Sequence, residues 1–346
     1  MYKILIRPLL FLLPPETIHG LIVNFLRILH FLKITWLIKK FLLGFRHPSI
    51  EREVFGLKFK NPIGLGAGFD KDARMIDIME SFGFGYIEIG TLTPKPQSGN
   101  PKPRLFRLKK DNALINRMGF NNQGVENALQ RLKKRKSGII VGGNIGKNKN
   151  TPNHEAVGDY KKGLNALYDH VDYFVVNISS PNTPDLRKLQ SKEPLRELLS
   201  GLKKEIQKKS DKKPLLLKIA PDLTDSELND IVEIINHLEL DGVVATNTTI
   251  SRSGLITKAD KIKSIGDGGL SGKPLRQRST EIIKYLRNNL TRDIPIIGVG
   301  GIMSVEDAIE KLEAGATLIQ VYTGFIYEGP YLIKNINKVL ANRNFD

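Results

Sequence analysis

Residues 175–183 read VVNISSPNT, an apolar run that opens into Asn177, two adjacent serines and Asn182. A serine hydroxyl acts as a base only when another group takes its own proton. The stretch holds no histidine and the chain holds no cysteine, so Ser179 and Ser180 are equivalent candidates by residue type. Other apolar runs end in comparable strings: GAGFDKD from Gly66, GTLTPKP from Gly90, NIGKNKNTP from Asn144, KIAPD from Lys218, TNTT from Thr246, GVGGI from Gly298 and YTGF from Tyr322. Any one of these is an ordinary strand end. Together they gather Gly, Asn, Thr and Lys where a single site would need them.

Asn116, Asn144, Asn177, Asn182 and Asn247 each offer a donor and an acceptor on one planar group. Such a set is complementary to a cyclic imide or ureide, and a carboxylate on the same ring would suit Lys71. A nucleobase-like acid therefore fits better than a sugar phosphate. Lys71 and Lys218 follow or end apolar runs, where an ammonium must find a partner or shift its pKa. A flavin would be one partner, because a cation near its pyrimidine edge stabilises the reduced ring. The competing reading pairs the lysines with Asp70, Asp72 or Asp222, which are near in sequence. GVGGI followed by YTGF gives close backbone approach and free N–H groups, the features with which barrels bind phosphate; tight strand–helix packing is the alternative. The six histidines are scattered, with no HxH or HExxH spacing, so no metal site is evident. Lack of cysteine excludes disulfides, Cys-based zinc or iron–sulfur sites and a Cys catalyst.

Eight apolar runs must position these ends: Ile63–Gly66, Tyr86–Ile89, Ile139–Asn144, Tyr173–Ile178, Leu215–Ile219, Gly242–Asn247, Ile296–Gly300 and Leu318–Tyr322. Most are rich in Val and Ile, as doubly buried parallel strands are. Helical patterns such as SELNDIVEIINHLEL and SVEDAIEKLEAGA lie between them. The alternation predicts an α/β chain forming a (β/α)8 TIM barrel over 47–346. The gaps after the second and sixth runs are long enough to hold inserted loops or hairpins. An open doubly wound sheet is the rival topology, but no GxGxxG follows the first run.

The first 46 residues form a separate amphipathic helical segment. Arg7, Glu16, Arg27, Lys33, Lys39 and Lys40 interrupt every apolar stretch before a membrane span's length. A signal peptide is disfavoured, since the apolar pattern recurs past a normal h-region with no small-residue cleavage site. Pro14-Pro15 before Glu16 starts a helix, and Ile18, Leu21, Ile22, Phe25, Leu26, Leu29 and Leu32 fall on one face with Asn24 and Arg27 opposite. A second helix is expected over about Thr35–Leu43. Basic residues beside a very apolar face suit a segment lying in a membrane interface; a helical hairpin packed on the protein's own core is the bland alternative. The net charge of +17 favours anionic partners such as nucleic acid, lipid or acidic metabolites. No basic stretch alternates with aromatics, so nucleic acid is not expected.

The strings NPIGLGAGFDKD, IEIGTLTPKPQSGNPKPRLFRL, INRMGFNNQG, NIGKNKNTP, NISSPNTPDLRKLQ, KIAPDL, ATNTT, GGLSGKPL and PIIGVGGI together resemble dihydroorotate dehydrogenase along the whole chain. The amphipathic N-terminus and missing cysteine match its membrane-associated, quinone-using class 2. That resemblance implies a flavoprotein oxidoreductase that oxidises (S)-dihydroorotate to orotate in pyrimidine biosynthesis. FMN, one per chain, would take a hydride from C6 while a base removes a proton from C5, and a membrane quinone would be the final electron acceptor. It also implies a monomeric peripheral membrane protein on an anionic lipid surface, at the cytoplasmic face of the cell's inner membrane if the source is bacterial.

By the same resemblance, the base is Ser180. FMN falls to Ala67, Gly68, Phe69, Asp70, Lys71, Thr91, Asn144, Asn177, Lys218, Thr246, Gly272, Gly301, Tyr322 and Thr323. Dihydroorotate falls to Lys71, Asn116, Arg117, Met118, Gly119, Phe120, Asn177, Asn182, Asn247 and Thr248. The quinone tunnel falls to His19, Arg107 and Tyr322. Thr183 and a trapped water could relay the Ser180 proton outward. Four rivals compete. A class 1 dihydroorotate dehydrogenase would lack the N-terminal segment and carry a cysteine. A tRNA dihydrouridine synthase would carry a cysteine and an RNA-binding domain. A lipid-surface protein with a vestigial barrel, or a phosphate-binding isomerase, would hold no flavin.

Overall fold

In a parallel barrel each strand's inward side chains must fill the interior in stacked layers, and this chain's period-two alternation does so. The computed structural model describes residues 2–291 and 294–343; residue 1 and residues 344–346, the outer ends of the two expected segments, lie outside it. Strands β1 (Arg52–Val54) and β2 (Leu57–Phe59) form an antiparallel hairpin. Strands β3 (Ile63–Leu65) and β4 (Tyr86–Leu92) open the barrel, and β5 (Leu105–Leu108) and β6 (Ala113–Asn116) then leave it as an antiparallel pair. Strands β7 (Ile140–Ile145), β8 (Tyr173–Asn177), β9 (Leu215–Ile219) and β10 (Gly242–Ala245) continue the barrel. Strand β11 (Gly269–Gly272) leaves it, and β12 (Ile296–Val299) and β13 (Leu318–Val321) close it on β3. All eight apolar runs are barrel strands. Both long gaps hold insertions, and they meet: β11 pairs with β6, giving one three-stranded sheet.

The helices between strands start where the sequence supplies caps. Thr224 and Glu227 form a reciprocal capping box before Asp225–His237. Ser304 accepts from the Asp307 N–H before Val305–Glu313.

The hairpin closes the barrel's lower end. Tyr86, Tyr173, Leu216, Val244, Ile297 and Leu318 form a fully buried layer, and Val54 and Phe59 pack beneath it. The Phe59 and Tyr86 rings meet edge to face at 5.3 Å, and the Tyr86 hydroxyl donates to the Ile319 carbonyl at 2.9 Å. Two residues further along three of these strands, the layer turns polar: Glu88, Lys218 and Gln320 follow Tyr86, Leu216 and Leu318. The tyrosines fit only because glycine faces them. A Cβ on Gly64 would lie 2.3 Å from the Tyr86 ring.

The N-terminal segment runs as helical stretches Tyr2–Leu10 and Pro15–Phe31, bent by 113°. A shorter helix, Ile34–Leu37, continues as a wider helical turn over Ile38–Leu43. Among the described residues no single helix is long and apolar enough to cross a membrane. The single apolar face expected for Pro15–Phe31 is corrected. Ile18, Ile22, Leu26 and Leu29 turn toward the protein around buried Val23, while Leu21, Phe25, Ile28, Phe31 and Leu32 are exposed. The helix is apolar on two sides, one turned toward the protein and the other exposed.

The glycine–tyrosine fit gives a stability prediction. Gly64→Ala overpacks the lower layer and should cost about 1–3 kcal/mol. In urea the unfolding midpoint should fall with the slope unchanged; an unaltered midpoint would show that the Tyr86 ring yields freely.

Candidate active site

The strand ends converge on a cleft at the carboxyl face of the barrel. Strand ends and loops place Ala67, Gly68, Lys71, Thr91, Asn177, Ser180, Asn182, Lys218, Thr246, Asn247, Thr248, Gly272, Gly301, Tyr322 and Thr323 on its walls. Asn116, Met118, Gly119 and Phe120 join them from the end of β6 and the loop after it. Ser180 is in the cleft and Ser179, fully buried, is not among the lining residues. The Asn182 N–H donates to Ser180 Oγ at 3.2 Å, and no titratable side chain hydrogen-bonds to that oxygen among the described residues.

Four of the expected residues sit behind the wall. Asn144 is fully buried and reaches the cleft through Thr91 and Asn177. The Asp70 carboxylate accepts the Arg74 and Met75 N–H groups at 2.7 and 2.8 Å; burial pushes it up to about 6 against those bonds. Phe69 packs edge-on between His19 (5.0 Å) and Tyr322 (5.5 Å). The Arg117 side chain turns away, stacking over Phe106 at 4.8 Å and donating to the Ile265 and Pro103 carbonyls.

The amides form two hydrogen-bonded groups, Asn116 with Asn182 and Asn144 with Asn177 and Asn247. Asn182 Nδ2 donates to Asn116 Oδ1 at 3.0 Å. Asn247 Nδ2 donates to Asn177 Oδ1 at 3.3 Å and to Ser179 Oγ at 3.0 Å. Lys71 Nζ donates to the Gly68 carbonyl at 3.0 Å. Desolvation pulls Lys71 down to about 8, with the Asp72 charge resisting. Neither lysine pairs with the aspartates near it in sequence. Asp72 accepts the Gln123 N–H and Asp222 pairs with Arg187 at 2.9 Å. The partner of Lys218 is Glu88, at 3.4 Å. Sequence reading missed Glu88 and Gln320, although each is a polar residue inside an apolar strand, which was a usable signal.

At the opposite wall, glycine lets backbones meet. A Cβ on Gly301 would lie 2.3 Å from Arg276 Cα, and one on Gly272 would lie 2.3 Å from the Asn112 carbonyl oxygen. With Gly300 and Gly324 they form a small-residue cradle in the cleft, fitted to a group that needs N–H donors rather than side chains.

His19 and Tyr322 approach each other through Phe69. Arg107, on β5, instead stacks over Phe11 at 4.5 Å and donates to the Leu13 carbonyl. Burial, aided by the Lys71 charge, pushes His19 down to about 4. The helix carrying His19 is tied to the loop over the cleft by a two-pronged ion pair: Arg104 Nε and Nη2 reach the two Glu16 oxygens at 3.1 and 2.8 Å. Arg104 Nη1 meanwhile holds the Ser98 and Asn100 carbonyls. Its hydrogen bonds keep the Glu16 carboxyl below its usual range. The partners are 88 residues apart, and nothing local in the sequence announces them.

Arg104→Ala should therefore loosen the helix more than the barrel. The cost should be about 2–3 kcal/mol, below that of a fully buried pair because Glu16 keeps some water. Hydrogen exchange should accelerate across residues 15–31 and leave the β7–β10 amides protected. Uniform acceleration would mean that the pair holds the whole fold.

A family model described as dihydroorotate dehydrogenase matches residues 49–343. A dihydroorotate dehydrogenase (quinone) from Christiangramia forsetii is 59% identical over 347 residues, covering 99% of this chain and 99% of that protein. One from Coxiella burnetii is 48% identical over 341 residues, covering 97% and 96%. Among solved structures, the Eimeria tenella enzyme in complex with ferulenol superposes with a TM-score of 0.83 at 37% identity, over 95% of this chain and 91% of that one.

Proposed function

The chain belongs to the dihydroorotate dehydrogenase family, and on that premise we propose that it oxidises (S)-dihydroorotate to orotate in pyrimidine biosynthesis, with FMN and a membrane quinone as acceptors. The observation that carries this reading is the cleft, which joins an amide set and a lysine to a glycine cradle and abuts the aromatic residues under the N-terminal helix. When bound, FMN supplies the two-electron step, accepting hydride from C6 of the substrate. Thr91, Asn144, Asn177, Lys218 and Thr246, with the backbone from Ala67 to Lys71, would hold its ring end. Gly272, Gly301, Tyr322 and Thr323 would hold its phosphate end.

The substrate's chemistry falls to the other wall. Lys71 binds the substrate carboxylate, and Asn116, Asn177, Asn182, Asn247 and Thr248 read the ring's alternating C=O and N–H groups. The loop from Arg117 to Phe120 covers it. Ser180 Oγ takes the C5 proton; the Asn182 N–H on that oxygen favours its more anionic state. Thr183, whose buried hydroxyl has no partner among the described residues, passes the serine proton outward through water.

The quinone enters beside His19, Tyr322 and Arg107, under the N-terminal helices. Exposed apolar residues support a membrane-lying role for them: among the described residues, every exposed large hydrophobic except Ile250, Ile256 and Tyr331 lies between Ile4 and Leu37. Arg27 and Lys33, both exposed, lie among those residues in the chain and suit anionic lipid. The reading is of a monomeric peripheral protein, at the cytoplasmic face of the inner membrane if the source is bacterial.

The purified protein should absorb as a flavin, bleach anaerobically with dihydroorotate and recover with a quinone; a colourless protein would sink the reading. Ser180→Ala should keep FMN but slow the bleaching by at least about 10²-fold, and a normal single-turnover rate would remove Ser180 as the base. Lys71 supplies a pH test. Its protonated form binds the substrate anion, so kcat/KM should hold up to about pH 8 and fall above it. Lys71→Arg should move that limb beyond about pH 10, because a guanidinium keeps its proton.

A further inference from the structure

Directly beneath the cleft the barrel encloses a carboxylate that the proposed reaction does not use. Glu88 on β4 is fully buried. Its Oε1 accepts Asn144 Nδ2 at 2.7 Å and Lys218 Nζ at 3.4 Å, and its Oε2 accepts Gln320 Nε2 at 2.5 Å. Below it lies the tyrosine layer. A buried ion pair stabilises a fold weakly at best, and apolar side chains of similar volume often do better. Stability alone therefore gives little reason for Glu88.

The hydrogen-bond pattern gives a better one. A carboxylate only accepts, so Asn144 must turn its Nδ2 toward Glu88 and its Oδ1 toward the cleft. That Oδ1 accepts Thr91 Oγ1 at 2.5 Å and Asn177 Nδ2 at 3.2 Å. Thr91, its proton committed, accepts from Asn177 Nδ2 at 2.7 Å. Asn177 is left with Oδ1 free to accept, and it takes Asn247 Nδ2 and Ser179 Oγ. One acceptor-only group at the base thus sets the direction of every bond in the chain above it. The same group is the carboxylate partner of Lys218.

We propose that Glu88 is a positioning residue: through Asn144 it fixes the hydrogen-bond sense of Asn177 and Asn247, and through Lys218 it sets the reduction potential of the flavin held above. The proposal rests on the flavin reading given earlier. A cation by the ring favours the electron-rich reduced cofactor, and a carboxylate against that cation offsets the effect. Removing the negative charge while keeping the shape should therefore make the bound flavin easier to reduce.

The experiment equilibrates wild-type, Glu88→Gln and Glu88→Asp holoproteins at pH 7 with a reference dye of matched potential and reads the reduced-to-oxidised FMN ratio from absorbance. In Glu88→Gln the ratio should rise about tenfold, equivalent to about 30 mV for a two-electron couple. Glu88→Asp keeps the charge and should stay within about threefold of wild type. A yellow Glu88→Gln protein with the wild-type ratio overturns the proposal. Should that variant take up no FMN, the ratio is read on Gln320→Leu. Stripping the Oε2 donor leaves the carboxylate more dependent on Lys218, so the ratio should fall about threefold; no fall overturns the proposal equally. A wild-type protein without flavin absorbance fails earlier, at the functional reading itself, and takes this inference with it.

Discussion

Closure of eight parallel strands is the constraint from which the rest follows. A closed sheet has no edge, so its interior is filled only by its own alternating side chains. At the lower end that space holds tyrosines, and glycines on neighbouring strands make room for them. One layer up, the same alternation brings in Glu88, Lys218 and Gln320. Buried polar groups of this kind must satisfy one another, and they do so in a chain that runs upward from Glu88 to the cleft wall. The site is therefore continuous with the barrel's packing, and its geometry inherits the rigidity of the strands beneath.

The N-terminal helix shows the opposite regime. It gains little from the core, with Val23 its one buried residue, and it is held by Glu16 against Arg104 and by Asn24 accepting from Arg74 at 2.8 Å. Its outward face carries Leu21, Phe25, Ile28 and Phe31, all exposed. An apolar surface of that kind in water is unusual unless something covers it, which is the physical content of reading it as membrane-lying.

The barrel was legible because doubly buried parallel strands have a plain signature, short Val- and Ile-rich runs that end in polar turns. The cleft was legible because those turns must all lie at one end. What escaped has three separate physical reasons. The pairing of β6 with β11 joins segments about 150 residues apart that carry no shared pattern. The Glu16–Arg104 bridge has no local signature, since either residue reads as an ordinary surface charge. The helix face was misread because hydrophobic periodicity reports apolarity and not which apolar surface meets the protein. Glu88 differs from these: YIEIG displays an acid at an inward position, but reading lysine partners only from nearby sequence pointed to Asp70, Asp72 and Asp222 instead. In a barrel the relevant neighbours are on other strands at the same height. For Lys218 that height is Glu88 on β4 and Gln320 on β13.

The same logic of height applies where helix and barrel meet. His19 packs against Phe69, two residues before Lys71 in the chain, and the Lys71 charge adds to burial in weakening the hold of His19 on its proton. Burial weighs on both, but the outcomes differ. An ammonium pulled to about 8 still carries its charge at neutral pH, whereas an imidazole pushed to about 4 does not. Of these two groups only Lys71 is therefore charged at neutral pH. That cation lies in the cleft, where an anionic substrate would need it, and the neutral imidazole lies on the helix side, where an apolar quinone would need an uncharged wall. Phe69 and Tyr322 separate the two environments by ring contact alone. Electrons can cross such a wall without a path for water, so the two substrates of the proposed reaction need never share a solvent. A charged His19 would remove that distinction, which makes burial of the helix against Phe69 as much a part of the site as the residues lining the cleft.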